Sequence, residues 1–544
     1  MLFNLLANNY GTIGDGVLGL LKGFFGYPAI LVGLFAMVGS IVQKRKGGEI
    51  LISTLKTVIG FLIISGGASV LSTTLGNLTN VIKNGFGIGQ KGSSMEFIIP
   101  SNEAAMAWMQ KTVPDLFTTA SLIMILGMVG NIILAKFSNL KFIYLTGHVI
   151  FYTSLVLSLS MYMAGLRPLE NTQDTAICLL SGMCFLGLYM VISPALSAKY
   201  AAQIIGNDKL ALGHTGGFGC ALSGIMGEGI LKASKKSEIT STENIKIPKK
   251  LKILADNTVA LSVTMLIIYM TIMMLGLGLK GLDAFVVDGK SMLGSDKISN
   301  SSGGAIAFAF VQSLTFVSGI MICIFGVKMF LEELIPSFSG IATKLIRGSR
   351  AAVEVQAFWP YAQDGVVIGF LSSFIGGLLA FGVMLGTHFS VNPELKKYFP
   401  VVIPELFPHL FIGGTGAVFG NIKGGYIGAI VGPFIIGFIW AFFPVIYCDL
   451  GCIPAAVNNI NGQQLNGTCF AEVDHIIGII PYLGVKYLTG WGFTGLAFGM
   501  FCSPIVISQI KNATKRNKKS KVTLNDIKNQ QLEEEKIKDV ESVN

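Results

Sequence analysis

The sequence predicts an all-α polytopic membrane protein of about eleven transmembrane helices, some joined by re-entrant segments. Three observations carry this expectation. Hydrophobic residues make up 52% of the 544 residues and charged residues 13%, with a mean hydropathy of +0.65, outside the range of soluble globular domains. Uncharged runs recur at close to the roughly 20 residues a helix needs to cross the hydrocarbon core. Clusters of Lys and Arg follow alternate runs, as the excess of cations on the cytoplasmic side requires.

The candidate spans cover residues 18–42, 50–71, 117–135, 142–163, 176–196, 253–280, 303–327, 361–386, 402–420, 424–447 and 485–508. Lys44, Arg45 and Lys46 follow the first, and Lys136 and Lys141 the third. Lys232, Lys235, Lys236, Lys246, Lys249, Lys250 and Lys252 follow the fifth. Lys344, Arg347 and Arg350 follow the seventh, and Lys515, Arg516, Lys518 and Lys519 the last. This parity places the amino terminus outside and the carboxyl terminus in the cytoplasm. With 67 glycines against 17 prolines, close helix packing and broken helices both fit. Met1–Leu20 has no basic leading region, so no cleavable signal peptide is expected.

The chain divides into a membrane region, residues 1–510, and a charged cytoplasmic tail, residues 511–544. A lysine-rich cytoplasmic linker, residues 231–252, separates five spans from six. Because five is odd, a second half that repeats the first would run inverted, a recurring transporter plan with its site near the midplane. The net charge of +10 sits largely in short loops and the tail, which argues for topology rather than nucleic-acid binding. The eight cysteines lack CxxC spacing and a Cys/His cluster, so no metal site and no cofactor are expected. Cys448, Cys452 and Cys469 share one loop, where one disulfide is an open alternative.

Three stretches are too polar or too broken for lipid-exposed helix: Ile98–Ala105, Leu212–Gly229 and Glu332–Asp364. Such backbone at membrane depth is buried in protein or lines a cavity. Two of the five histidines lie in near-matching settings, Leu145-Thr146-Gly147-His148 and Leu212-Gly213-His214-Thr215. A titratable ring at this depth suits a substrate path; a helix-end contact to a carbonyl suits His148 equally, and a small-residue helix contact is the alternative for His214. Asn102 and Glu103 follow the turn Pro100-Ser101. A helix starting there would offer free amides to a ligand, or be an ordinary capped end. Glu354, flanked by Val353 and Val355, needs a partner: a ligand, or Arg347 or Arg350. Of His388, His409 and His475, His409 is the one placed to reach a cavity. No HExxH, GxxxxGK[ST] or GxSxG motif occurs, so a self-contained enzyme is not expected.

The chain resembles enzyme IIC, the membrane component of the ascorbate-type branch of the bacterial sugar phosphotransferase system. The similar stretches are Thr54-Leu-Lys-Thr-Val-Ile-Gly-Phe61, Leu145-Thr-Gly-His148, Gly213-His214, Ile247-Pro248 leading to Asp256-Asn257, Gly326-Val-Lys-Met-Phe330, and Gly340-Ile341 through Leu345-Ile346. They span most of residues 50–430 in the expected order. The resemblance implies an eleven-span homodimer in the bacterial cell membrane, with a dimerising part and a substrate core interleaved in sequence. It also implies a permease that carries the sugar while a phosphorylated IIB partner, charged through IIA from phosphoenolpyruvate, modifies it. By position it implies His148 and His214 as sugar-contacting residues, with Thr146 beside the first. Gly67 and Ala68 match a small-residue contact, Glu354 an acidic position, and Asn102 and Glu103 the Asn-Glu of one branch. Ascorbate-type members carry glutamines after both histidines, where Tyr152 and Thr215-Gly216 stand here, and an aspartate in place of Glu354. The expected ligand is L-ascorbate or a related sugar. An ion- or proton-coupled secondary transporter and a non-transporting membrane sensor are the rival readings.

Overall fold

The computed structural model describes residues 28–86, 97–236, 238–245, 256–287, 289–388, 401–404, 408–452, 459–460, 463–464, 468–470 and 472–514. Among these, eight helices are long and apolar enough to cross a membrane: Gly47–Phe86, Pro114–Phe137, Thr172–Ile205, Leu261–Phe285, Ser302–Met329, Gln363–Thr387, His409–Tyr447 and Gly490–Thr514. The shorter apolar helix Gly147–Met163 is almost wholly buried. Large apolar side chains such as Leu62, Ile267, Phe325 and Ile375 stand exposed along the long helices. Hydrocarbon, not water, is the solvent that suits such faces.

One expected span takes another form. The run 142–163 begins as a strand, Phe142–Tyr144, before its helix starts at Gly147. The spans expected at 402–420 and 424–447 are two helices that meet at Gly425, whose φ of 53° and ψ of −151° leave the helical region, and that pack back on each other with Gly420 against Gly428. The Thr240 carbonyl lies against the place where a Cβ would stand at Gly425, so this bend suits glycine twice over.

Small residues let backbones meet. Gly47–Phe86 and Ser302–Leu345 lie together where a Cβ on Gly67 would come within 2.6 Å of Cys323 Sγ and one on Gly326 within 2.7 Å of Gly60 O. Asn77 Nδ2 donates to Gln312 Oε1 across the same contact at 3.1 Å. A second cluster joins Gly217–Ser234, Gln363–His388 and Gly414–Trp440. There Ser372 Oγ donates to Ile430 O at 2.7 Å, and Gly227 faces Gly420 and Gly424. This is the small-residue packing that helices in lipid use in place of hydrophobic collapse.

The strands were not expected from an all-α reading. In chain order they are β1 Phe97–Pro100, β2 Phe142–Tyr144, β3 Leu210–Leu212, β4 Val286–Val287, β5 Lys290–Ser291, β6 Arg350–Val353, β7 Val401–Val402, β8 Asn459–Ile460, β9 Gln463–Gln464 and β10 Thr468–Cys469. β4–β5 and β8–β9 are two-stranded antiparallel pairs. The others form two three-stranded parallel sheets, ordered β10-β1-β7 and β2-β6-β3. Broken backbone in a membrane protein must satisfy its own amides and carbonyls, and these strands do so for the segments read as re-entrant. Each sheet has a central strand from one half of the chain flanked by two strands from the other half.

Candidate functional site

Each strand of the β2-β6-β3 sheet runs directly into a polar side chain. β2 leads through Thr146 to His148 at the start of helix Gly147–Met163. β3 ends two residues before His214, and β6 ends one residue before Glu354. Leu145 N donates to Ala352 O at 2.9 Å and Gly213 N to Val353 O at 2.8 Å, so the three loop starts are hydrogen-bonded together. As a result His148 Nε2 lies 3.6 Å and His214 Nε2 3.8 Å from Glu354 Oε1. The two imidazole centroids are 6.5 Å apart. Arg350 instead pairs with Asp208 at 2.6 Å, which leaves Glu354 facing the histidines.

The other sheet feeds the opposite side. β1 leads into Ser101, whose side chain caps Ala104 N at 3.4 Å at the start of helix Asn102–Thr112. The helix begins where the proline turn predicted. Glu103 is buried; its Oε1 accepts from Tyr152 Oη at 3.1 Å and its Oε2 from Ser101 Oγ at 3.3 Å. β10 leads to Glu472, whose Oε1 accepts from Asn102 Nδ2 at 3.3 Å.

Between the sheets lies a partly open pocket of about 360 Å³, including its mouth, lined by Asn102, Glu103, His148, Val149, Tyr152, His214, Thr215, Pro408, Phe411 and Glu472. A few polar groups converge there within apolar walls, as in small-molecule sites. Buried at or beside it, and without a partner among the described residues, are Thr146 Oγ1, Thr215 Oγ1 and Glu472 Oε2. Polar atoms in that condition are costly unless a ligand or water meets them. Phe411 forms a side of the pocket, 5.9 Å from the His214 ring and stacked at 5.9 Å on Trp359.

The His214 loop is held from behind. Gly216 N donates to His214 Nδ1 at 3.0 Å, so in the neutral ring the proton is on Nε2, which faces Glu354. Asp474 accepts from Phe218 N at 2.9 Å, Tyr189 Oη at 2.9 Å and Ser193 Oγ at 3.1 Å, while its own N donates to Thr215 O at 2.7 Å. The imidazoles and Glu354 lie within the spacing that could surround a cation, with their ligand atoms all within 4.8 Å of one another. A metal on His214 Nε2 would need that nitrogen's lone pair and a proton on Nδ1, and the Gly216 amide disfavours that tautomer. The geometry suits hydrogen bonding to hydroxyls instead.

The remaining expected residues sit elsewhere. Gly67 packs against Cys323 and Gly319 at a helix crossing, away from the pocket lining; the side chain of Ala68 lies outside the described residues. His409 is buried, with Nδ1 2.8 Å from Ser373 Oγ and its ring edge-on to Trp440 at 4.9 Å; the neighbouring Pro408 is what reaches the pocket. His475 is buried against Phe470. The His388 side chain and those of Glu332, Glu333, Lys344 and Cys448 lie outside the described residues, and so do the tail from residue 515 and most of the linker after Ile245. Cys452 is a free thiol. Sequence reasoning did not single out Glu472, Asp474, Pro408 or Phe411. The available signal was a pair of acidic residues, Glu472 and Asp474, in an otherwise apolar stretch from Cys469 to Tyr482.

Residues 23–465 match the family described as EIIC-GAT, PTS system sugar-specific permease component. The chain is also similar to a Mycoplasma pneumoniae protein named the ascorbate-specific PTS system EIIC component. The two are 28% identical over 445 residues, which is 77% of this chain and 64% of that relative. The chain thus spans somewhat under two thirds of the relative's length.

Proposed function

The chain belongs to the PTS system sugar-specific permease family, and from that premise we propose that it is the translocating IIC subunit for L-ascorbate or a closely related sugar. The observation that carries this reading is the convergence of His148 and His214 on Glu354, beside a pocket rich in further hydroxyl-seeking groups. Both His–Glu separations exceed a hydrogen bond, so the rings and the carboxylate are not committed to each other and can turn to ligand hydroxyls on the pocket side. His214 Nε2 donates to a ligand oxygen, Glu354 accepts from a ligand hydroxyl, and Thr215 and Asn102 add short-range polar contacts. Phe411 supplies an apolar face for a sugar ring.

The chain's own role is to bind and carry; phosphoryl transfer belongs to a cytoplasmic IIB partner supplied by IIA. An inverted repeat is supported by the strand order. Exchanging β1 with β6, β2 with β7 and β3 with β10 converts one three-stranded sheet into the other. A pocket between two such sheets is where alternating access places its substrate. The homodimer, the bacterial cell membrane, and an external amino terminus with a cytoplasmic carboxyl terminus complete the proposal.

Thermal-shift titration of purified protein with L-ascorbate and a panel of sugars and sugar acids tests the site. Wild type gains stability with L-ascorbate, and His148→Ala and His214→Ala lose most of that gain. Variants that respond like wild type would remove the histidines from the site.

A further inference from the structure

We propose that Glu472 is a further substrate-contacting residue, whose free carboxylate oxygen accepts a hydroxyl of the ligand and so orients any negative charge on that ligand toward the histidines. This rests on the permease reading above and extends it to how the substrate lies in the site. Glu472 falls outside residues 23–465, the stretch matched by the family, so nothing in that match assigns it.

Three observations place it. Glu472 lines the same pocket as His148 and His214 and is only 6% exposed. Its Oε1 is occupied by Asn102 Nδ2, while Oε2 is buried with no partner among the described residues. A buried carboxylate oxygen of this kind costs free energy until a donor reaches it. The strand order supplies the third. β10 occupies in one sheet the place that β3 holds in the other, so Glu472, three residues beyond β10, is the counterpart of His214, two residues beyond β3.

The pocket is therefore polarised. One wall offers the imidazole donors of His148 and His214 with a single carboxyl group, Glu354, beside them; the other offers two carboxyl groups, Glu103 and Glu472, with Asp474 two residues on. An anionic group placed at the second wall would meet like charge or an unsatisfied acceptor, whereas an O–H donor satisfies Oε2 directly. In L-ascorbate, whose charge resides on the ring enediol, the ring then lies toward the histidines and the side-chain hydroxyls toward Glu472.

The test is a ligand-deletion cycle on the full-length purified protein by calorimetry, using L-ascorbate and its 5-deoxy and 6-deoxy analogues, with neutral hexitols in the same panel. Wild type binds at least one deoxy analogue about tenfold more weakly than L-ascorbate. Glu472→Ala weakens L-ascorbate about tenfold and no longer distinguishes it from that analogue. Glu472→Gln controls for folding: Asn102 holds the amide oxygen, the NH2 turns toward the pocket, and the acceptor is lost with little change of shape. It too loses the discrimination. If folded Glu472→Gln discriminates the hydroxyls as wild type does, the assignment is overturned. If wild type ignores L-ascorbate but binds a hexitol, the ascorbate reading fails alone. Glu472 is then judged by whether Glu472→Gln weakens that hexitol about tenfold, which supports it, or leaves it unchanged, which overturns it. If wild type binds no member of the panel, both fail.

Discussion

Because Gly216 N donates to His214 Nδ1, the ring presents an N–H and not a lone pair to the pocket, and the difference decides between a hydroxyl site and a metal site. Zinc added to chelator-treated protein should accordingly leave its melting temperature unchanged; a stoichiometric stabilisation abolished by His214→Ala would contradict the tautomer. Tyr152 offers a second test of single-atom bookkeeping. Its hydroxyl satisfies buried Glu103 Oε1, so Tyr152→Phe leaves that oxygen without its donor and should cost about 1–3 kcal/mol of stability. Thermal melts in one detergent, with and without ligand, measure it. Equal stability would mean that the Tyr–Glu contact contributes nothing net.

Short strands do for this chain what long loops could not. A re-entrant tip at membrane depth must pair its own backbone, and β2, β3 and β6 do so while bringing His148, His214 and Glu354 to one place. The segment after β10 then locks the His214 loop through Asp474. Asp474→Ala removes the acceptor of Phe218 N, Tyr189 Oη and Ser193 Oγ at once, and should weaken ligand binding although Asp474 is not part of the pocket lining. Hydrogen exchange at Gly213–Phe218 should rise in that variant; protection equal to wild type would show that other contacts hold the loop. The helix crossing at Gly67 makes a different prediction. Gly67→Leu forces a side chain into Cys323 and the backbone beside it, and overpacking of this kind costs about 1–3 kcal/mol. Its ligand response should stay near wild type at temperatures where it is folded. A selective loss of binding with unchanged stability would return Gly67 to the substrate site.

Across the whole molecule, the long helices expose apolar side chains outward and bury the polar pocket between two sheets. The permease proposal requires uptake coupled to the soluble partners. Transport in vesicles should therefore depend on phosphoenolpyruvate with IIA and IIB, and should survive collapse of the proton gradient. Uptake with the opposite dependence would favour the ion-coupled rival, and tight binding without flux the sensor. Single cysteines placed in the 231–252 linker of a protein otherwise free of exposed thiols should react with impermeant reagents only from the cytoplasmic side.

Hydropathy and charge are local quantities, so residue order alone determined the membrane class and most of the spans. It also singled out His148 and His214, because a polar ring in an apolar run is conspicuous without knowledge of its neighbours. The partners of those rings were not legible. Glu354 was open to Arg347 or Arg350 until β6 turned it toward the imidazoles, and Arg350 found Asp208. Glu472 reads as one more acidic residue near a span end until β10 pairs with β1 and sets it against Asn102, 370 residues away in the chain. Which residues stand opposite one another across a pocket depends on strand pairings between distant segments, and only the tertiary structure specifies those.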